Sequence, residues 1–197
     1  TLGWKVTYPL NNEDKSYIKG IEIDAQTNLN FLPAPFNRFI LNMNFTLMDS
    51  RMNFNETLFR RVANPDYGVV PGAPRVKSIN FDTTYIDRML HQPSYLANIA
   101  LGYDQGGFSA RLSFNYQDDI LIKEQRRPDG ADRQGTLRFY RWDFQVSQKI
   151  TKKLSLYGNL ANILNQPDRK VQLITNYYTR LEYYGFTGLV GLKYSFR

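Results

Sequence analysis

Cysteine is absent from the 197 residues, and histidine occurs once, at position 91. The first absence fits an exported protein with no disulfide framework. The second confines any Ser-His or His-metal mechanism to His91, two residues before Pro93 and away from any G-x-S-x-G nucleophile motif. Long apolar runs are also missing: none reaches about 18 residues, so the chain encodes no transmembrane helix. A basic stripe is missing too, although the formal charge is +7. In 118–138 Lys123, Arg126, Arg127, Arg133 and Arg138 are matched by Asp118, Asp119, Glu124, Asp129 and Asp132, which argues against nucleic acid as a partner. Neither a metal nor a cofactor is expected; Asp118 and Asp119, as strand neighbours, would point to opposite faces. No basic and apolar leader precedes Thr1, so an export signal is expected to have been removed or to lie upstream.

What is present is a two-residue period. The last thirteen residues place Phe186, Gly188, Val190, Leu192, Tyr194 and Phe196 on one face, and Gly185, Thr187, Leu189, Gly191, Lys193 and Ser195 on the other. That is a strand pattern, and its apolar face begins and ends in aromatics, as a tilted membrane-crossing strand requires. The same period predicts strands over 1–8, 17–32, 38–50, 94–103, 108–117, 140–147 and 154–160, which with the last makes eight. A low average hydropathy is compatible with this, because half of each barrel strand faces a polar interior.

The connections alternate in length. Short turns are expected at 33–37, 104–107 and 149–153, and long ones at 51–93, 118–138 and 165–180. Short turns on one rim and long loops on the other are the asymmetry of an outer-membrane barrel, with the turns periplasmic and the loops extracellular. Aromatics sort by height in the same sense. Phe31, Phe39, Tyr103, Phe108, Tyr194 and Phe196 gather at the short-turn rim, and Tyr8, Tyr17, Tyr95, Tyr116 and Tyr140 at the other. The predicted fold is thus all-β: an antiparallel transmembrane outer-membrane β-barrel.

Three stretches, Lys19-Gly20-Ile21-Glu22-Ile23-Asp24, Asn159-Leu160-Ala161-Asn162-Ile163-Leu164-Asn165 and Gly191-Leu192-Lys193-Tyr194-Ser195-Phe196, in this order resemble the C-terminal barrel portion of TonB-dependent outer-membrane receptors. The likeness is to the Bacteroidota type, including the SusC-like group, and spans nearly the whole chain. It implies a 22-stranded barrel filled by an N-terminal plug, of which this chain supplies about the last eight strands and no plug. It further implies non-enzymatic, energy-coupled import of a scarce nutrient: a ferric chelate, cobalamin, a glycan or a peptide. The implied partners are outer-membrane lipid and lipopolysaccharide, the rest of the barrel and its plug, the inner-membrane protein TonB, and a SusD-like surface lipoprotein.

Candidate ligand contacts lie in the long loops: Arg60, Arg61, Tyr67, Arg75, Lys77 and Tyr85 in the first, and Arg126, Arg127 and Arg133 in the second. Guanidinium groups interleaved with phenols suit an anionic ligand. Tyr194 and Phe196 are the expected assembly signal, although Arg197 follows the terminal aromatic. Glu22, Asp24, Arg111, Arg141 and Asp143 would face inward and pair across neighbouring strands. The competing readings are a complete eight-stranded outer-membrane barrel with a structural or adhesive role, an outer-membrane hydrolase relying on His91, and a soluble ligand-binding barrel with the apolar face turned inward.

Overall fold

The computed structural model describes residues 13–123 and 132–196. In chain order its strands are β1 (Tyr17–Asn28), β2 (Phe39–Ala63), β3 (Val76–Asp87), β4 (Tyr95–Gln105), β5 (Phe108–Gln117), β6 (Ile120–Lys123), β7 (Gln134–Thr136), β8 (Phe139–Lys149), β9 (Leu154–Ala161), β10 (Asp168–Gln172), β11 (Tyr178–Glu182) and β12 (Thr187–Tyr194). One antiparallel wall runs β1-β2-β4-β5-β8-β9-β12, with β3 added to the upper part of β2. A second, four-stranded sheet runs β11-β10-β7-β6. The predicted strand 1–8 lies outside the described residues.

The wall keeps its register from end to end. One cross-strand row reads Leu41, Leu101, Leu112, Phe144, Leu160 and Gly188. The next position along the strands gives Asn42, Ala100, Ser113 and Asp143. Because the strand period is two, a slip of one residue would carry every apolar side chain to the polar face, so the pattern itself selects the pairing. Apolar side chains stay exposed across the wall, with Val190 78% and Leu192 67% accessible. Clefts open on the other, polar side, as between Ser147, Tyr157 and Lys193. A wall with clefts on its polar side and an uncovered apolar back is the reverse of a soluble barrel, and it matches a surface meant for hydrocarbon.

Along β2 the apolar back has a measurable height. Phe39, Leu41, Met43, Phe45 and Leu47 share it, and Asp49, Arg51, Asn53, Asn55 and Thr57 succeed them on the same side. Eight steps at about 3.4 Å, tilted by about 40°, rise roughly 21 Å, near the ~25 Å apolar band of such barrels. At the upper limit Lys19 pairs with Asp49 at 3.4 Å and lies over the Tyr17 ring, 5.5 Å from its centroid. At the lower limit Phe36, Phe39, Tyr103 and Phe108 form a chain of ring contacts with centroid spacings of 6.2, 5.2 and 6.3 Å. Tyr194 and Phe196 meet edge to face at 5.0 Å. At the short turn between β4 and β5, Gly106 and Gly107 have φ of 57° and 84°, the left-handed pair that suits a tight hairpin's twist.

The long connections depart from the sequence expectation. The stretch 51–93, expected to be one long connection, is mostly a hairpin in which β2 continues to Ala63 and pairs with all of β3. The stretch 118–138 holds β6 and β7, and 165–180 holds β10 and the start of β11. The physical reason is visible on β2. Past Asp49 the apolar positions change parity: Phe54 and Leu58, 4% and 5% exposed, are on the side that was polar below. Above the hydrocarbon the outside of the wall meets water and the inside packs against protein, so the alternation inverts and no single period spans the segment.

Single cysteines can report the two faces, because this chain has no cysteine of its own. Leu112→Cys and Leu192→Cys should react with a lipid-soluble maleimide in membranes, and Ser113→Cys and Lys193→Cys with a water-soluble one; the opposite result would place the apolar face inside. Phe196, 90% exposed, should act in assembly, so Phe196→Ala should lower the amount of heat-modifiable folded barrel, and unchanged levels would remove that role.

Candidate functional site

The structured long connections form one assembly at the rim opposite the short turns. Its base is the segment after β3. Asp87 accepts a hydrogen bond from the Arg133 guanidinium, and Arg88 donates to the Asp119 carboxylate and, at 3.2 Å, to the Asp119 carbonyl. The Met89 N–H donates to Ser50 Oγ at 3.1 Å, and the His91 N–H to the Leu121 carbonyl at 2.8 Å. Pro93 then bridges to Ile120. Residues 87–93 are thus a strap that ties the β2–β3 hairpin to the edge of the second sheet.

That sheet has a small core of its own. Leu121, Gly135 and Val171 share a cross-strand row, and Leu121 and Val171 are each 1% exposed. A Cβ on Gly135 would lie 2.7 Å from the Ile120 carbonyl oxygen, so the row closes only around glycine. Outside this core, β11 displays Arg180 and Glu182, ion-paired at 2.6 Å, and Tyr184 donates to Glu182 at 2.5 Å. The Arg180 hydrogen bond, followed by that of Tyr184, holds the Glu182 carboxyl below its ordinary range, and the carboxylate in turn raises the Tyr184 phenol. A lowered carboxyl pKa means the contact holds at neutral pH and is lost as the pH falls through that lowered value.

The sequence-predicted ligand residues are not one cluster. Arg60 and Lys77 sit on one face of the β2–β3 hairpin, and Arg61 on the other, because successive strand residues point oppositely. The structure places these three in strands and not in an open loop. Tyr67 and Arg75 do meet at the hairpin tip, with the guanidinium 6.0 Å from the ring centroid. Tyr85 stacks on Phe54 at 5.2 Å and is half-buried. Arg133 is committed to Asp87, and Arg126 and Arg127 lie outside the described residues.

Inward pairing follows the expectation in part. Arg111 binds Asp104 across the β4–β5 hairpin at 2.6 and 3.0 Å, and Asn44 donates to Glu22 across β1 and β2 at 2.8 Å. Arg141 instead binds Asp143 of its own strand at 2.9 Å. Sequence reasoning missed the strap altogether. Asp87 and Arg133 are 46 residues apart, and Arg88 and Asp119 are 31 apart, so nothing local marks them as partners. His91 contributes a backbone N–H at a φ of 60°. The assembly thus holds its donors, acceptors and rings in fixed positions.

Asp87→Asn would leave the part-buried Arg133 without its counter-charge, a loss of about 1–3 kcal/mol. Hydrogen exchange in 120–123 and 134–136 should accelerate while β4 and β5 keep their protection; uniform exchange across all four strands would mean the strap holds nothing. Gly135→Val should open the same sheet and leave the wall folded.

Residues 2–163 match the family model described as TonB dependent receptor-like, beta-barrel. The crystal structure of the siderophore receptor PiuA from Acinetobacter baumannii is similar in fold, with a TM-score of 0.59 at 13% sequence identity. The match covers 91% of this chain and 22% of that receptor, so the chain spans under a quarter of its length. No curated protein matches in sequence. On the family match over most of its length, the chain belongs to the TonB-dependent receptor-like β-barrel family, a family of outer-membrane receptors.

Proposed function

We propose that the chain is the C-terminal barrel portion of an energy-coupled outer-membrane importer that takes up a scarce nutrient. The observation that carries this reading is the uninterrupted register of seven strands, which sorts one apolar and one polar face and carries structured connections on a single rim. The membrane holds the apolar face, and the polar face lines the interior. The short turns at 33–37, 104–107 and 149–153 are periplasmic, and the β2–β3 hairpin with the second sheet is extracellular. Among the described residues β1 pairs only with β2, and β12 only with β9. Open strand edges cannot be solvated in hydrocarbon, so each takes a further strand of a larger barrel. A plug fills that barrel, and TonB supplies the energy through it.

The outer rim is where ligand arrives. Tyr67 and Arg75 at the hairpin tip and Arg60 and Lys77 below it are the first contacts for an anionic ligand, and a SusD-like lipoprotein of the Bacteroidota type would close over the same rim. The substrate classes are a ferric chelate, cobalamin, a glycan or a peptide. Deleting the gene for the full receptor should abolish TonB-dependent uptake of one of these four, measured with labelled ligands in cells with and without TonB. Unchanged uptake of all four classes would overturn the importer reading. Arg75→Ala with Lys77→Ala should raise the half-saturating concentration several-fold for an anionic ligand and leave the protein's level in the outer membrane unaltered.

A further inference from the structure

Three short turns lie at the rim that the aromatic rings mark, and they are not alike. Neither 33–37 nor 104–107 contains a basic residue, whereas Lys149, Lys152 and Lys153 fall within 149–153, which holds no acid. A hairpin connection needs none of this charge. The turn is set by hydrogen bonds of its own: the Ile150 and Thr151 N–H groups donate to the Leu154 carbonyl at 2.8 and 3.0 Å, and the Lys153 and Leu154 N–H groups donate to Thr151 Oγ1 at 3.2 and 3.0 Å. The Ser195 N–H donates to the Lys153 carbonyl at 2.8 Å, which fixes the turn to the end of β12.

Among the described residues no carboxylate lies within ion-pair distance of any of these three lysines. Asp104, the acid of the neighbouring turn, is held by both terminal nitrogens of Arg111. Lys152 and Lys153 are exposed. Beside them the apolar back ends. Ile150 is 55% exposed, Leu154 pairs with Tyr194, and the Tyr194 ring meets that of Phe196. A fixed turn thus sets unneutralised ammonium groups next to the last apolar and aromatic side chains of the back.

We infer that the 149–153 turn binds the headgroup of an anionic phospholipid in the membrane leaflet on the short-turn side. Aromatic rings such as that of Tyr194 sit at headgroup level in a membrane surface, which puts Lys152 and Lys153 at the height of the phosphates. Successive Cα atoms are about 3.8 Å apart, and the long lysine stems let both ammonium groups reach one phosphate diester. Ile150 and Leu154 then lie against the upper methylenes of the acyl chains. A free anion would answer the charge and leave Ile150 in water; a lipid answers both. Lys149 strengthens the positive potential from the other side of the turn.

The inference rests on the reading of the apolar back as lipid-facing and of this turn as periplasmic. A bulky polyethylene glycol maleimide decides the second point separately. In the full-length receptor it should label Lys152→Cys only after the outer membrane is opened; labelling in intact cells would overturn the orientation and the site with it. The site's own test is native mass spectrometry of the purified full-length receptor in neutral detergent, titrated with phosphatidylglycerol and with phosphatidylcholine. The receptor should retain phosphatidylglycerol in preference, and Lys152→Gln/Lys153→Gln should weaken that binding about fivefold for each lysine, about 25-fold together. Lys19→Gln/Lys170→Gln, which removes the same charge from the opposite rim, should leave it unaltered. Equal binding of the two lipids, or an equal loss in the two variants, would overturn the proposal while the orientation stands. Displacement of the lipid by inorganic phosphate or by soluble muropeptides would also overturn it, making the turn a site for a free anion or for the cell wall.

Discussion

Hydrocarbon offers no partner to a backbone N–H or carbonyl, so a chain that crosses it with strands must pair every strand on both sides. The wall follows that constraint from β1 to β12. Each internal strand is bonded to two neighbours without a shift in register, and each apolar row runs the width of the sheet. The side chains then have a simple task. Those on the back suit lipid, those on the front suit a wet interior, and aromatic rings mark where the back reaches its lower limit.

Above the hydrocarbon the constraint relaxes, and the architecture changes with it. Water can satisfy an edge there, so the connections need not continue the wall strand for strand. β6 and β7 extend the β5–β8 hairpin, β10 and β11 extend the β9–β12 hairpin, and the four associate as a separate sheet. Its order repeats that of the strands beneath it. The strap of 87–93 joins this sheet to β2 and the β2–β3 hairpin by two ion pairs and two hydrogen bonds from its backbone N–H groups, making this rim a braced structure and not a set of independent loops.

The wall was legible in the sequence because burial on one side and water on the other leave a plain two-residue period, as in Leu96 to Tyr103 or Phe108 to Tyr116. The upper strands were not. β2 keeps a period of two but exchanges faces near Asp49, which reads as a loss of pattern. Gln134–Thr136 and Asp168–Gln172 are short and mostly polar, and their strand character comes from their partners. The candidate ligand residues were chosen by type and nearness in the chain. The hairpin separates Arg60 from Arg61 by facing, and Arg133 goes to an aspartate that sequence distance conceals. Tyr67 and Arg75, close in sequence, do meet at the tip of the hairpin.

The exchange of faces on β2 also limits how the rim opposite the short turns can vary. Between Leu47 and Phe54 one continuous strand carries two opposite assignments of inside and outside. Adding or removing two residues there would lengthen or shorten the hairpin and preserve both. A change of one would leave the membrane segment correct and turn Phe54 and Leu58 to the water, unless a bulge absorbed the extra residue. Growth of the rim by even steps is therefore compatible with the buried face of the hairpin, and growth by odd steps demands a compensating irregularity in the same strand.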